Sequence, residues 1–133
     1  MKAGEIDMSE YPLVTLRFAD KEPEGTELEE FFEQLDRELE ARSGPYVTKS
    51  YGNSKFISGE ARVKFGKLSQ KITDKYEGRF LGSVVVLNSL IGRMMLKGVL
   101  LVLKKKTPTK VVSNEEEARV AVEQMLQEAA VTN

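Results

Sequence analysis

The stretch Gly82 to Lys106, GSVVVLNSLIGRMMLKGVLLVLKKK, is the most apolar run in the chain and constrains the fold most. It divides in two. Ser83-Val84-Val85-Val86-Leu87 is a short β-branched run closed by Asn88-Ser89. Such a run suits a strand buried on both faces, or one central in a sheet. The side-chain oxygens of Asn88 and Ser89 can accept from the open N–H groups of a first helical turn. Leu90 to Leu103 then has the length and composition of a helix. Leu90, Met94, Gly98 and Leu101 fall on one stripe, and Ile91, Met95, Val99 and Val102 on the next. Arg93 and Lys97, four residues apart, form a narrow cationic edge, while Gly92 and Gly98 weaken the helix.

Three readings of this run compete. A membrane span fits its length, but Arg93 and Lys97 at its centre would each cost roughly 2.5–3.5 kcal/mol, so a span is not expected. A buried strand–turn–helix unit of an α/β core fits better. In the third reading, part of the same helix is exposed in the monomer and covered by a partner. Leu90, Ile91, Arg93, Met94, Met95 and Lys97 are then the candidate partner or ligand surface.

The rest of the chain repeats the strand–helix alternation. Glu5 to Met8 reads as a short first strand, and Tyr11-Pro12 as a turn. In Leu13 to Phe18, Val14, Leu16 and Phe18 point one way while Thr15 and Arg17 point the other. Thr26 and Glu29 match a capping box for a helix running to about Arg42, with Leu28, Phe31 or Phe32, Leu35 and Leu39 as its apolar stripe. Ser43-Gly44-Pro45 stops it. Tyr46 to Tyr51 is a further strand, made less apolar by Thr48, Lys49 and Ser50. Ser58 is placed to cap a second helix with Ala61, Phe65, Leu68, Ile72 and Tyr76 inward and Arg62, Lys64, Lys67, Lys71 and Lys75 outward. After the opening stretch, Lys110 to Ser113 is a last strand. Ser113 and Glu116 match a second capping box, and Ala118, Val122, Met125 and Ala129 line the final helix.

This order predicts one α/β domain over residues 1–133, with its core at about 11–127. The expected architecture is a mostly parallel sheet of four to five strands with about four helices in βα repeats. The polar face of Leu13–Phe18 predicts that helices cover mainly one side. The other side is then partly polar or meets a second subunit.

Composition removes several chemistries. The chain has no His and no Cys, hence no thiol nucleophile, no thiolate metal site and neither the commonest general base nor the commonest metal ligand. No metal, cofactor or enzymatic activity is expected. The N-terminal MKAGEIDMSE has no apolar signal region, which predicts a cytoplasmic protein. Charge is uneven. Residues 1–43 hold five basic and thirteen acidic side chains, net −8, whereas residues 44–112 hold fourteen basic and three acidic, net +11. Residues 113–133 return to net −4, with one basic and five acidic side chains. Either acidic and basic elements complement one another in the fold, or the middle region binds an anionic partner. Lys104–Lys106 with Lys110 lack interleaved aromatic residues, so nucleic acid is not an expected partner.

Gly44-Pro45-Tyr46-Val47, the run Gly82 to Arg93, Pro108-Thr109-Lys110-Val111-Val112 and Glu116-Glu117-Ala118 together resemble the STAS or anti-sigma-factor-antagonist-like fold. The resemblance is to the small stand-alone bacterial STAS-like proteins of mostly unknown function, and it spans about residues 11–127. It implies a regulatory domain acting through protein contacts. In phosphorylatable members an Asp-Ser-Ser-Gly type motif opens the second helix, and here Ser58-Gly59 falls at that place with Ile57 before it. Ser58 is therefore a candidate phosphoacceptor, or else a plain helix cap worth about 1 kcal/mol.

Two functions follow from different classes. One is a non-enzymatic regulatory or scaffold domain, homodimeric, acting on a partner protein. The other is a small-molecule or lipid-binding module. There the methionine-rich Leu90–Leu103 helix meets an apolar ligand and Arg93 and Lys97 meet an anionic head group.

Overall fold

The computed structural model describes residues 3–19, 21–51, 59–87 and 108–132. The elements are β1 (Gly4–Asp7), β2 (Leu13–Phe18), α1 (Glu27–Glu40), β3 (Tyr46–Tyr51), α2 (Gly59–Lys75), β4 (Phe80–Val86), β5 (Thr109–Val112) and α3 (Glu115–Thr132). They form a five-stranded sheet in which every strand neighbours the next in sequence, β1-β2-β3-β4-β5.

The expectation of a mostly parallel sheet gives way to a mixed one. β1 runs antiparallel to β2, with Ile6 opposite Leu16, while β2, β3, β4 and β5 run parallel. The connection over residues 8–12 explains the reversal, because a parallel crossover needs about a dozen residues or more. That turn holds the cis peptide Tyr11–Pro12, with the Tyr11 N–H donating to Met8 O at 3.1 Å. Three helices stand among the described residues rather than about four. The expected helix Leu90–Leu103 lies outside them.

Helices cover both faces, not mainly one. On the first face, Val14, Leu16 and Tyr46 meet Leu28, Phe31, Phe32, Leu35 and Leu39 of α1, with Phe65, Leu68 and Ile72 of α2 packed against them. The alternative between Phe31 and Phe32 resolves to both, since both are buried. Phe18 lies 5.0 Å from Phe31 and 5.3 Å from Phe65, ring centre to ring centre, so one strand-end aromatic joins both helices. On the second face, Val47, Val84 and Val112 meet Ala118, Ala121, Val122 and Met125 of α3. The parallel register explains how both faces are apolar: Val47 pairs with Gly82, and Val84 and Val86 follow on the same side. Among the described residues no strand follows α3, so no crossover ties it to the face of α1 and α2.

Gly82 lets α3 sit this close. A Cβ there would lie 2.7 Å from Met125 Sδ and 3.0 Å from Pro108 O. Among the described residues no helix is long and apolar enough to cross a membrane.

Helix starts differ from the expected capping boxes. Thr26 makes no side-chain cap, its Oγ1 donating instead to Glu30 Oε1 at 3.2 Å. Glu27, not Glu29, turns back, taking the Glu24 N–H at 2.7 Å and Lys21 Nζ at 3.0 Å. These contacts, with the Glu24 N–H first, hold its carboxyl below the usual range. Glu29 is free to reach α2, where Lys64 Nζ lies 2.7 Å away. The second box is displaced by one residue. Asn114 Oδ1 accepts the Glu117 N–H at 2.9 Å, and Glu117 Oε2 accepts the Ser113 N–H at 2.9 Å. Glu116 turns to Arg119 instead.

Candidate functional site

Ser58, Leu90, Ile91, Arg93, Met94, Met95 and Lys97, the residues singled out from the sequence, lie outside the described residues. The described chain instead offers two polar clusters, one at each end of the parallel strands.

The cluster at the amino ends of the strands ties α1, α2 and β3 together. Arg79 follows α2 and inserts between the rings of Tyr76 and Tyr46, its guanidinium 5.2 and 5.8 Å from their centres. It donates to Gly44 O at 2.9 Å, Leu39 O at 3.2 Å and Tyr11 Oη at 3.0 Å. Asp36 accepts from Tyr76 Oη and from Lys75 Nζ. Those hydrogen bonds, that of Tyr76 first, hold its carboxyl below the usual range. Burial first, then Asp36, pushes the Tyr76 phenol up. Burial likewise raises the Tyr46 phenol. Two of the Arg79 hydrogen bonds end on carbonyls of the α1 end and of the loop after it, and the third on the Tyr11 hydroxyl. The cluster therefore fastens helix ends, and its donors are spent within the fold.

The cluster at the carboxyl ends lies on the second face, where α3 covers β3, β4 and β5. Alternation puts Thr15 and Arg17 of β2 on that face, beside Lys49 and Tyr51 of β3 and opposite Glu5 and Asp7 of β1. The Arg17 guanidinium stacks 4.1 Å above the Tyr51 ring. Lys49 Nζ lies 5.5 Å from the centre of the same ring. Both are cation–π contacts, which hold a cation in place while leaving its N–H groups available. The first turn of α3 supplies Glu115. One of its oxygens accepts the Tyr51 hydroxyl and the other lies 3.7 Å from Lys49 Nζ.

Two of the acids around Arg17, Asp7 and Glu115, have other partners. Asp7 accepts the Ser9 N–H at 2.8 Å. Its carboxyl is held below the usual range by hydrogen bonds from Ser9 first, and then by the charges of Arg17 and Lys49. Glu5 faces Arg17 across the strands, yet no ion pair within 4 Å joins Arg17 to any described residue. Arg17, Glu5 and Asp7 are exposed, whereas the Lys49 side chain is only 17% exposed. The result is an exposed guanidinium stacked on an aromatic ring, on a face where parallel strands end. Among the described residues no group of three or more acidic side chains is placed to hold a metal ion.

Sequence reasoning put Arg17 and Thr15 on the wetter face and noticed Lys49, but did not join them to Tyr51 or Glu115. The signal was the shared odd-numbered alternation of LVTLRF and YVTKSY. The parallel register that sets Arg17 beside Tyr51 leaves no mark in either segment alone. Comparison with protein-family models, with curated proteins and with solved structures returns no match for this chain.

Proposed function

We propose that this chain is a non-enzymatic interaction domain of the STAS-like type, a regulatory or scaffold module that acts by contact with partner proteins. The observation that carries this reading is the Arg17–Tyr51 stack. A stacked guanidinium has already lost much of its rotamer freedom, and its fork geometry suits a carboxylate taken with two hydrogen bonds. Half-buried Leu13 lies on the same face at the other end of β2. Three carboxylates border the stack, from Glu5, Asp7 and Glu115, so a polyphosphate strand would meet repulsion that a single protein carboxylate can avoid. The reading therefore favours a protein segment carrying one carboxylate between apolar side chains.

A capped leucine–glutamate–leucine peptide titrated into isotopically labelled protein tests it by NMR. Amide shifts should concentrate at Leu13, Arg17, Lys49 and Tyr51. Arg17→Ala should weaken binding at least about tenfold, and the matching glutamine peptide should bind as weakly as that variant. Shifts spread over the lysines of α2, equal for both peptides, would mean simple charge attraction and sink the assignment.

A further inference from the structure

We propose that copies of this chain associate head to tail, the outer face of α2 on one copy seating against the outer face of α3 on the next. Two large apolar side chains stand well exposed among the described residues, Val63 at 57% and Val120 at 50%. Single exposed valines are ordinary. Here each sits in the middle of the solvent face of a helix, and the two helices carry opposite charge.

α2 has five cationic and two acidic side chains, and α3 has one cationic and five acidic. On α2, Lys64 and Lys75 lean inward to Glu29 and Asp36 of α1. Arg62, Lys67 and Lys71 remain exposed, with Lys67 one turn from Val63. Gly66, also one turn from Val63, would meet nothing within 4 Å if it carried a Cβ, so the outer surface of the helix is low there. On α3, Val120 has Glu116 one turn before it and Glu123 one turn after. Arg119 holds both carboxylates, leaving an ordered group of two acids and one base. Glu117 lies beside them at the helix start.

Charge complementarity therefore selects α3 of a second copy as the occupant of α2. Two copies related by a two-fold axis through α2 would oppose lysines to lysines, and through α3 carboxylates to carboxylates. The helices also lie on opposite faces of the sheet, so one copy uses both faces at once and the contact repeats instead of closing into a pair. This inference goes beyond the Arg17 reading and is independent of it, since the surfaces share no residue.

Analytical ultracentrifugation of the purified full chain over a wide concentration range provides the test. Wild type should show an average mass that climbs past the dimer with concentration and falls when salt is added. Lys67→Glu and Glu123→Lys should each lower the association constant by at least about tenfold, since each sets like charges together. Both positions are exposed, and circular dichroism confirms folding. Lys67→Glu keeps α3 intact and Glu123→Lys keeps α2 intact. An equimolar mixture should therefore associate where each variant alone does not, through the one unaltered contact and through the charge-swapped contact of Lys67→Glu with Glu123→Lys. A wild type that stays monomeric throughout would overturn the proposal. So would a dimer that both variants leave intact, or a mixture that fails to pair.

Discussion

Replacing Gly82 by alanine sets a methyl group against the sulfur of Met125. The added Cβ would stand 2.7 Å from Met125 Sδ, 3.1 Å from Met125 Cε and 3.0 Å from Pro108 O. Methionine can swing aside, but Pro108 O is main chain and accepts the Ser83 N–H at 3.0 Å, so it cannot retreat without loosening the junction of β4 and β5. Overpacking of this kind costs about 1–3 kcal/mol. Replacing glycine inside a strand recovers part of that through the unfolded chain, roughly 0.5–1 kcal/mol. The expected net loss is about 1–2 kcal/mol, or a fall in Tm of roughly 3–8 °C for a chain of this size. Urea unfolding followed by circular dichroism measures it, with the slope unchanged from wild type. A double-mutant cycle with Met125→Ala separates the two obstacles. If the sulfur dominates, Gly82→Ala costs little once Met125 is truncated, although truncation itself costs about 2–5 kcal/mol. A Gly82→Ala protein as stable as wild type would refute the close seating of α3 on β4.

Further outcomes follow from other positions. Gly66→Ala, in the interior of α2 with open space around the new methyl group, should raise stability by about 0.5–1 kcal/mol in the same unfolding assay. Asn114→Ala removes the side-chain acceptor of the Glu117 N–H and should cost about 1 kcal/mol. Asp36 has its folded pKa depressed by Tyr76 and Lys75, so its contribution to stability is present above the unfolded carboxylate pKa. That contribution is lost as pH falls through the folded value. The Tm gap between wild type and Asp36→Asn should accordingly be open at pH 7 and shrink below about pH 4. A gap that stays constant across that range would mean that the hydrogen bonds to Asp36 do not depend on its charge.

Local periodicity made much of the fold legible. The i, i+3, i+4 spacing of Leu28, Phe31, Phe32, Leu35 and Leu39 gave α1 its inner face, and all five are buried. Alternation in LVTLRF gave β2 its two faces, although Thr15, on the face expected to be wetter, is buried. What failed was anything decided between elements. The side taken by α3 depends on which face of β3 and β4 offers Val47, Gly82, Val84 and Val112, and that depends on register. The capping boxes were matched by pattern, yet Glu27 turned back in place of Glu29, and Asn114 took the cap in place of Ser113. The charge blocks did find a structural meaning where acidic α1 meets basic α2 through Glu29–Lys64 and Asp36–Lys75. The candidate site draws on residues 7, 17, 49, 51 and 115, which only the folded register brings together.

Because each strand pairs with its neighbour in sequence, no strand has to wait for a distant segment before it can join the sheet. The first core draws on β1, β2, α1 and Tyr46 of β3, with α2 completing it, while the second needs β3, β4, β5 and α3. Synthesis from the amino end thus releases a nearly complete hydrophobic unit before α3 is made. Assembly can proceed as growth along the sheet from β1 toward β5, with α3 closing last over the valines of the second face.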